Sequence, residues 1–237
     1  MRTDMMDDWS RTAEQIMLST IENKIRVLAI TSPFRGAGVT TVASGLAAVF
    51  AQSGRKTLLV DLSGAAPAGG AAPMWVPGKP VPPDSIVSGH DGLAVLAVSP
   101  GAATRPLFNN VELLQAAFQR DFFGYASIII DLPALDNTEA GSLNPVAIAR
   151  AADAVFLVAP TGFTARDDLA AATQKLRQVG APVSGVIMND QYCATLGDQI
   201  AAMSQKRLAR IFPRLARWIT SKAHASTYLN RNFRIAG

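Results

Sequence analysis

The chain has one cysteine, Cys193, so it has neither a disulfide framework nor a cysteine-based metal centre. Its two histidines, His90 and His224, lie far apart and lack metal-motif spacing, which leaves them as ordinary side chains. No run of about 18 apolar residues occurs, which excludes a helical membrane span. The start, MRTDMMDDWS, carries acids and no apolar core segment, so it does not read as a secretory signal and a cytoplasmic protein is expected. Tyrosine is scarce as well, with Tyr125, Tyr192 and Tyr228 the only three in 237 residues.

What the chain does have is enough apolar residue, 49%, to bury one sizeable core. Its net charge of +4 is unevenly placed. Residues 206–237 hold Lys206, Arg207, Arg210, Arg214, Arg217, Lys222, Arg231 and Arg234 with no acid. Taking those 8 from 22 basic residues leaves 14 against 18 acids, or −4 for the remainder, so the basicity belongs to the tail.

Six short apolar runs, rich in Val, Ile and Leu, span Val27–Ser32, Thr57–Leu62, Leu93–Ser99, Ser127–Leu132, Ala154–Ala159 and Val183–Asn189. They lack polar alternation, which predicts a mostly parallel sheet covered on both faces. Stretches with helical spacing separate them, near Asp8–Glu22, Thr40–Ser53, Val111–Phe122, Asn144–Ala151, Ala165–Val179 and from Leu196 onward. The alternation predicts a doubly wound α/β fold, a three-layer arrangement with helices on both faces. Three parts follow: an N-terminal helix over 1–25, a phosphate-loop domain over 26–195 and a basic helical extension over 196–237. Between the second and third runs, GAAPAGGAAPMWVPGKPVPPDS is dominated by Ala, Gly and Pro and reads as a long mobile loop. Trp75 within it has two readings, a partner anchor or a side chain folded back on its own domain, and the second is the commoner outcome.

The first run leads into SPFRGAGVTT, which has the outline of a phosphate-binding loop. Gly36, Ala37 and Gly38 make the turn, Thr40 and Thr41 supply hydroxyls, and Val39 stands where GxxxxGK[ST] places its lysine. Backbone N–H groups and a helix N-terminus can still cradle phosphate there, without the ammonium group that neutralises it. Arg35 is the fixed cation of this loop and a candidate to take over part of that work, though its planar fork is no equivalent. The second run delivers Asp61 and the fourth Asp131, carboxylates at the strand ends where α/β sheets bind ligands. With the Thr40 hydroxyl they make a candidate magnesium set, and the two aspartates are the candidate catalytic residues. The sixth run ends in Asn189, whose amide is placed to face a purine edge.

Taken together these segments resemble the MinD/ParA group of deviant P-loop ATPases, and within it the bacterial tyrosine kinase branch. TSPFRGAGVTT is similar to that branch's TSPxPGEGKST, LLVDLSG to its LLVDxDxR and IIIDLPAL to its IIIDxPPx. The resemblance runs from Asp8 to Asn189, about three quarters of the chain. It implies a cytoplasmic ATP–magnesium domain of a capsule or exopolysaccharide machine, working with a membrane copolymerase of the chain-length-determinant kind. The departures touch chemistry. Val39 replaces the lysine, Ala37 a glutamate, and Ser63 the second aspartate of the strand motif; the C-terminal tyrosine cluster is missing. The oligomerising ExxRxxR pattern has Asp8, Arg11 and Glu14 as its nearest counterpart, which weakens the case for self-association. Together these predict a kinase-like pseudoenzyme that binds ATP or ADP weakly or not at all. An active ATPase or tyrosine kinase, and a positioning ATPase of the MinD/ParA type, are the alternatives.

In the tail, Leu208, Ile211, Phe212, Leu215 and Ile219 recur at helical spacing beside Arg207, Arg210, Arg214 and Arg217, with Pro213 dividing the stretch. Arg210, Phe212, Arg214 and Trp218 are the candidate contacts with an anionic membrane surface or a membrane partner, which would put the protein at the inner face of the cell membrane. Packing of this stretch on the domain is the competing structural reading. Nucleic-acid binding ranks low because no aromatics interleave the charges.

Overall fold

The computed structural model describes residues 2–63, 75–82, 85–89, 91–137 and 142–190. The expectations for residues 191–237, including the basic tail with Arg210, Phe212, Arg214 and Trp218, lie outside the described residues, as does most of the Ala/Gly/Pro loop. The larger of two units comprises residues 1–159 and 164–189; the smaller comprises 160–163 and 190–237. In the smaller one, the Thr161 hydroxyl donates to the Asp190 carboxylate.

The elements run α1 (Arg2–Glu22), β1 (Val27–Thr31), α2 (Val39–Gln52), β2 (Thr57–Asp61), β3 (Val87–Ser88), β4 (Leu93–Ala97), α3 (Val111–Asp121), β5 (Ser127–Asp131), α4 (Pro145–Arg150), β6 (Ala154–Pro160), α5 (Arg166–Gln178) and β7 (Val183–Asn189). The sheet order is β3-β4-β2-β5-β1-β6-β7. β1 pairs in parallel with β5 and β6, and β2 with β4 and β5. The predicted α/β class and the six apolar strands are present. The sequence reading missed β3, a two-residue antiparallel edge strand whose residues are both exposed, so no apolar run marks it. The helix predicted from Asp8 begins at Arg2, because its first turns carry no apolar stripe to signal them. Full coverage of both faces holds for the centre only: β1 is buried throughout, whereas β7 alternates, with Val186 and Met188 exposed.

One face of the sheet carries Ala29, Val60, Ile128 and Ile130 under α3, α4 and α5. The other carries Leu28, Ile30, Leu59 and Ile129 under α2, with α1 packed outside α2 through Ala13 and Ile16. Gly45 of α2 makes that contact possible, since a Cβ there would come within 2.9 Å of the Trp9 indole nitrogen.

Trp75 is fully buried, so the folded-back reading holds. Its ring lies 5.0 Å from Phe122, 5.8 Å from Phe108 and 6.3 Å from Phe118, and its indole N–H donates to Asp121 at 3.1 Å. A buried tryptophan with its polar atom satisfied contributes its full apolar area. Trp75→Ala therefore destabilises the fold by about 3–5 kcal/mol, measured as a lower urea midpoint at constant slope.

Candidate nucleotide and metal site

Between β1 and α2 the chain must reverse tightly, and it does so through Gly36 at φ 80° and Gly38 at φ 86°. Both values lie in the left-handed region, where only glycine sits without steric cost. Gly38 is the N-cap of α2 and has no side chain to satisfy the first-turn N–H groups, and no acid stands in that turn. Those first-turn donors have no side-chain cap, which is an arrangement that can cradle phosphate. Gly36, Thr40 and Thr41 are exposed, while Ala37 is buried. Val39 packs its half-buried side chain against the apolar cluster of Leu28, Ile30 and Val42.

The candidate acids come together by register. β5 lies between β1 and β2, and Asp61 and Asp131 are direct cross-strand neighbours. They end their strands on the face covered by α2, whose first residues include Thr40. Asp131 is 1% exposed, and neither carboxylate oxygen has a hydrogen-bond partner. Burial, opposed in part by the nearby Thr40 hydroxyl and reinforced by the Asp61 charge, pushes its pKa up from 3.8 to about 7. Thr40 exerts this influence without completing a full hydrogen bond.

Two carboxylates and a hydroxyl are hard oxygen donors, and a buried carboxylate without a partner is the group a divalent cation would satisfy. The set fits magnesium, which takes one or two carboxylates and completes its shell with water and phosphate oxygens. Among the described residues no group of three or more His, Cys, Asp or Glu converges on such a site.

Three of the sequence-predicted residues have partners inside the protein. Ser63 donates to Asp61 Oδ1 from both its backbone N–H at 2.9 Å and its hydroxyl at 2.7 Å, so the replacement for the family's second acid caps the first. Asn189 Nδ2 donates to the Ala37 carbonyl at 2.9 Å, tying the end of β7 to the turn. Arg35 donates to Asn137 Oδ1 at 2.8 Å, across to the loop that follows β5. That loop is pinned to the end of β1, because Thr31 Oγ1 donates to the Pro133 carbonyl at 2.8 Å and Leu135 N–H to the Ser32 carbonyl at 2.8 Å. Lys175 Nζ supports it from α5 through the Leu135 carbonyl at 2.7 Å. Asn137 and Lys175 escaped the sequence reading, since partners this distant in the chain carry no spacing signal.

The chain is similar to known proteins over most of its length. The tyrosine-protein kinase CpsD of Streptococcus agalactiae serotype III is 32% identical over 196 residues, covering 77% of this chain and 82% of the relative. The chain belongs to the CpsD family of bacterial tyrosine kinases. Among solved structures, the VpsO kinase domain matches this chain with a TM-score of 0.63 at 24% identity, over 76% of this chain and 92% of the other. The cell division ATPase MinD of Pyrococcus furiosus matches with a TM-score of 0.53 at 21% identity, over 71% and 73%. At these identities the two structures show the shared fold. No protein-family model matches the chain.

The buried acid makes a stability prediction with a definite sign. The folded state keeps the Asp131 proton to about pH 7, whereas the unfolded chain releases it near 3.8. The folded state thus binds more protons in that window, so the stabilisation present below about pH 4 is lost as pH rises through 7, by about 4 kcal/mol in all. In chelator, Asp131→Asn is more stable than the wild type at pH 8 by about 2–4 kcal/mol, and the difference closes toward pH 4. Urea unfolding at the two pH values measures it.

Proposed function

We propose that this protein is a kinase-like pseudoenzyme that regulates capsule or exopolysaccharide synthesis or secretion from the cytoplasmic side of the membrane, in company with a membrane polysaccharide copolymerase. The observation that carries the reading is Val39. The residue that should bring an ammonium group to the terminal phosphates is an apolar side chain packed into the domain. Phosphoryl transfer is accelerated almost wholly by positioning and electrostatic stabilisation, and losing one such group costs a factor of about 10² to 10³ or more. Ser63, which caps Asp61 where the family has a second acid, and the scarcity of tyrosine support the same reading.

The relatives supply the context. CpsD and VpsO are kinases by name, and the sequence motifs resemble the branch that serves capsule and exopolysaccharide export. Among the described residues no helix is long and apolar enough to cross a membrane, which fits a protein that works through a membrane partner. The turn and the Thr40, Asp61 and Asp131 set would hold ATP or ADP with magnesium weakly. There the backbone donors of Gly38 to Thr41 would hold the phosphate and the two aspartates the cation, so that the chain would bind and orient the nucleotide.

A second reading rests on Asp131. A buried carboxylate without a hydrogen-bond partner is a destabilising arrangement that a bound cation would repay, which favours an ATPase or kinase with reduced dependence on the lysine. Incubation of the purified full chain with magnesium and ATP separates the two. The pseudoenzyme reading expects no phosphotyrosine on immunoblot and no phosphate release, and robust autophosphorylation overturns it. Val39→Lys is expected to tighten ATP binding by about tenfold or more in calorimetric titration.

A further inference from the structure

The main chain that carries Asp61 is held from both sides of β2. Leu62 N–H donates to the Asp131 carbonyl and Val98 N–H to the Asp61 carbonyl, each at 2.9 Å, so β5 and the residue after β4 fix its position. Ser63 follows two residues on, half-buried, and turns back onto the acid. Its backbone N–H reaches Asp61 Oδ1 at 2.9 Å, and its hydroxyl reaches the same oxygen at 2.7 Å.

A carboxylate oxygen has two lone-pair sites, and Ser63 fills both of those on Oδ1. Among the described residues no donor reaches Oδ2. Asp61 therefore offers a cation one oxygen in place of a bidentate carboxylate. Of the two donors on Oδ1, only the hydroxyl depends on which side chain stands at position 63.

Asp131, its cross-strand neighbour, is 1% exposed with neither oxygen hydrogen-bonded, and its strand is locked between β1 and β2. Thr40 brings a hydroxyl close to it from the first turn of α2. A small, rigidly held set of oxygens suits magnesium, which keeps several waters in its shell and needs only one or two carboxylates. Calcium takes about six to eight oxygens and gains from carboxylates that open to it with both.

We propose that Ser63 is a positioning residue that selects magnesium over calcium by holding Asp61 to a single coordinating oxygen, given that Thr40, Asp61 and Asp131 form the cation site that the proposed function requires. Removing the hydroxyl frees one lone pair on Oδ1, and Asp61 can then close on the larger ion with both oxygens. A threonine keeps the hydroxyl and with it the constraint.

Thermal melts of the full chain, stripped of metal by chelator and then titrated with magnesium chloride or calcium chloride alone, test it. Magnesium raises the wild-type melting temperature more than calcium does at the same concentration. In Ser63→Ala the ratio of the calcium to the magnesium dissociation constant falls by about tenfold, while Ser63→Thr keeps it within about twofold of the wild type. A Ser63 that served the fold alone would lower the metal-free melting temperature on substitution and leave this ratio unmoved. Asp131→Asn abolishes the response to both ions, which ties the response to this site, and far-ultraviolet circular dichroism confirms that each variant folds. Equal or greater stabilisation of the wild type by calcium overturns the proposal, as does an unchanged ratio in Ser63→Ala, and in both cases the cation site itself stands. Absence of any metal response, or a full response in Asp131→Asn, overturns the cation site and the proposal together.

Discussion

The arrangement turns on the insertion of β5 between β1 and β2. Because the chain returns to the middle of the sheet after α3, Asp131 arrives beside Asp61 and faces the helix that follows the glycine turn. Without that insertion the two carboxylates would end strands that never meet. With it, one of them is buried with no hydrogen-bond partner, and its pKa rises to about 7. The strain of the site is electrostatic, and the apolar layers under α2 and α3 keep the charge in place.

Around that acid, packing and neutral hydrogen bonds stand at positions where the motif of the tyrosine kinase branch has charged groups. Val39 joins the apolar cluster, and Ser63 turns a would-be second carboxylate into a cap on the first. The surrounding loops are closed by neutral hydrogen bonds, from Asn189 to the turn and from Thr31 to the loop after β5. Arg35 reaches the same loop through Asn137. The family fold holds with Val39 in place of the lysine because its shape depends on glycine dihedrals, strand register and burial, none of which needs the ammonium group.

Much of the fold was legible beforehand because a central parallel strand is apolar on both faces and interrupts itself with helical spacing, as β1, β5 and β6 do. The weak points were local. β3 has two exposed residues and no periodicity, and the first turns of α1 have no apolar stripe. The site was legible as a set of strand-end residues, Asp61, Asp131 and Asn189, together with the glycine turn. Their partners were not: the Ser63 cap forms through two donors on one carboxylate oxygen, and Asn137 and Lys175 meet the site across long stretches of chain.

By itself the sequence determined the fold class, the family and the missing ammonium group, because hydrophobic periodicity and short motifs are local properties of the chain. Only the tertiary structure decided where the side chains of those motifs point and how their charges are felt. Asp131 owes its raised pKa to burial between strands, and Val39 its place to the cluster beside it. Each is a long-range contact, and burial and electrostatic environment exist only once the chain has closed around them.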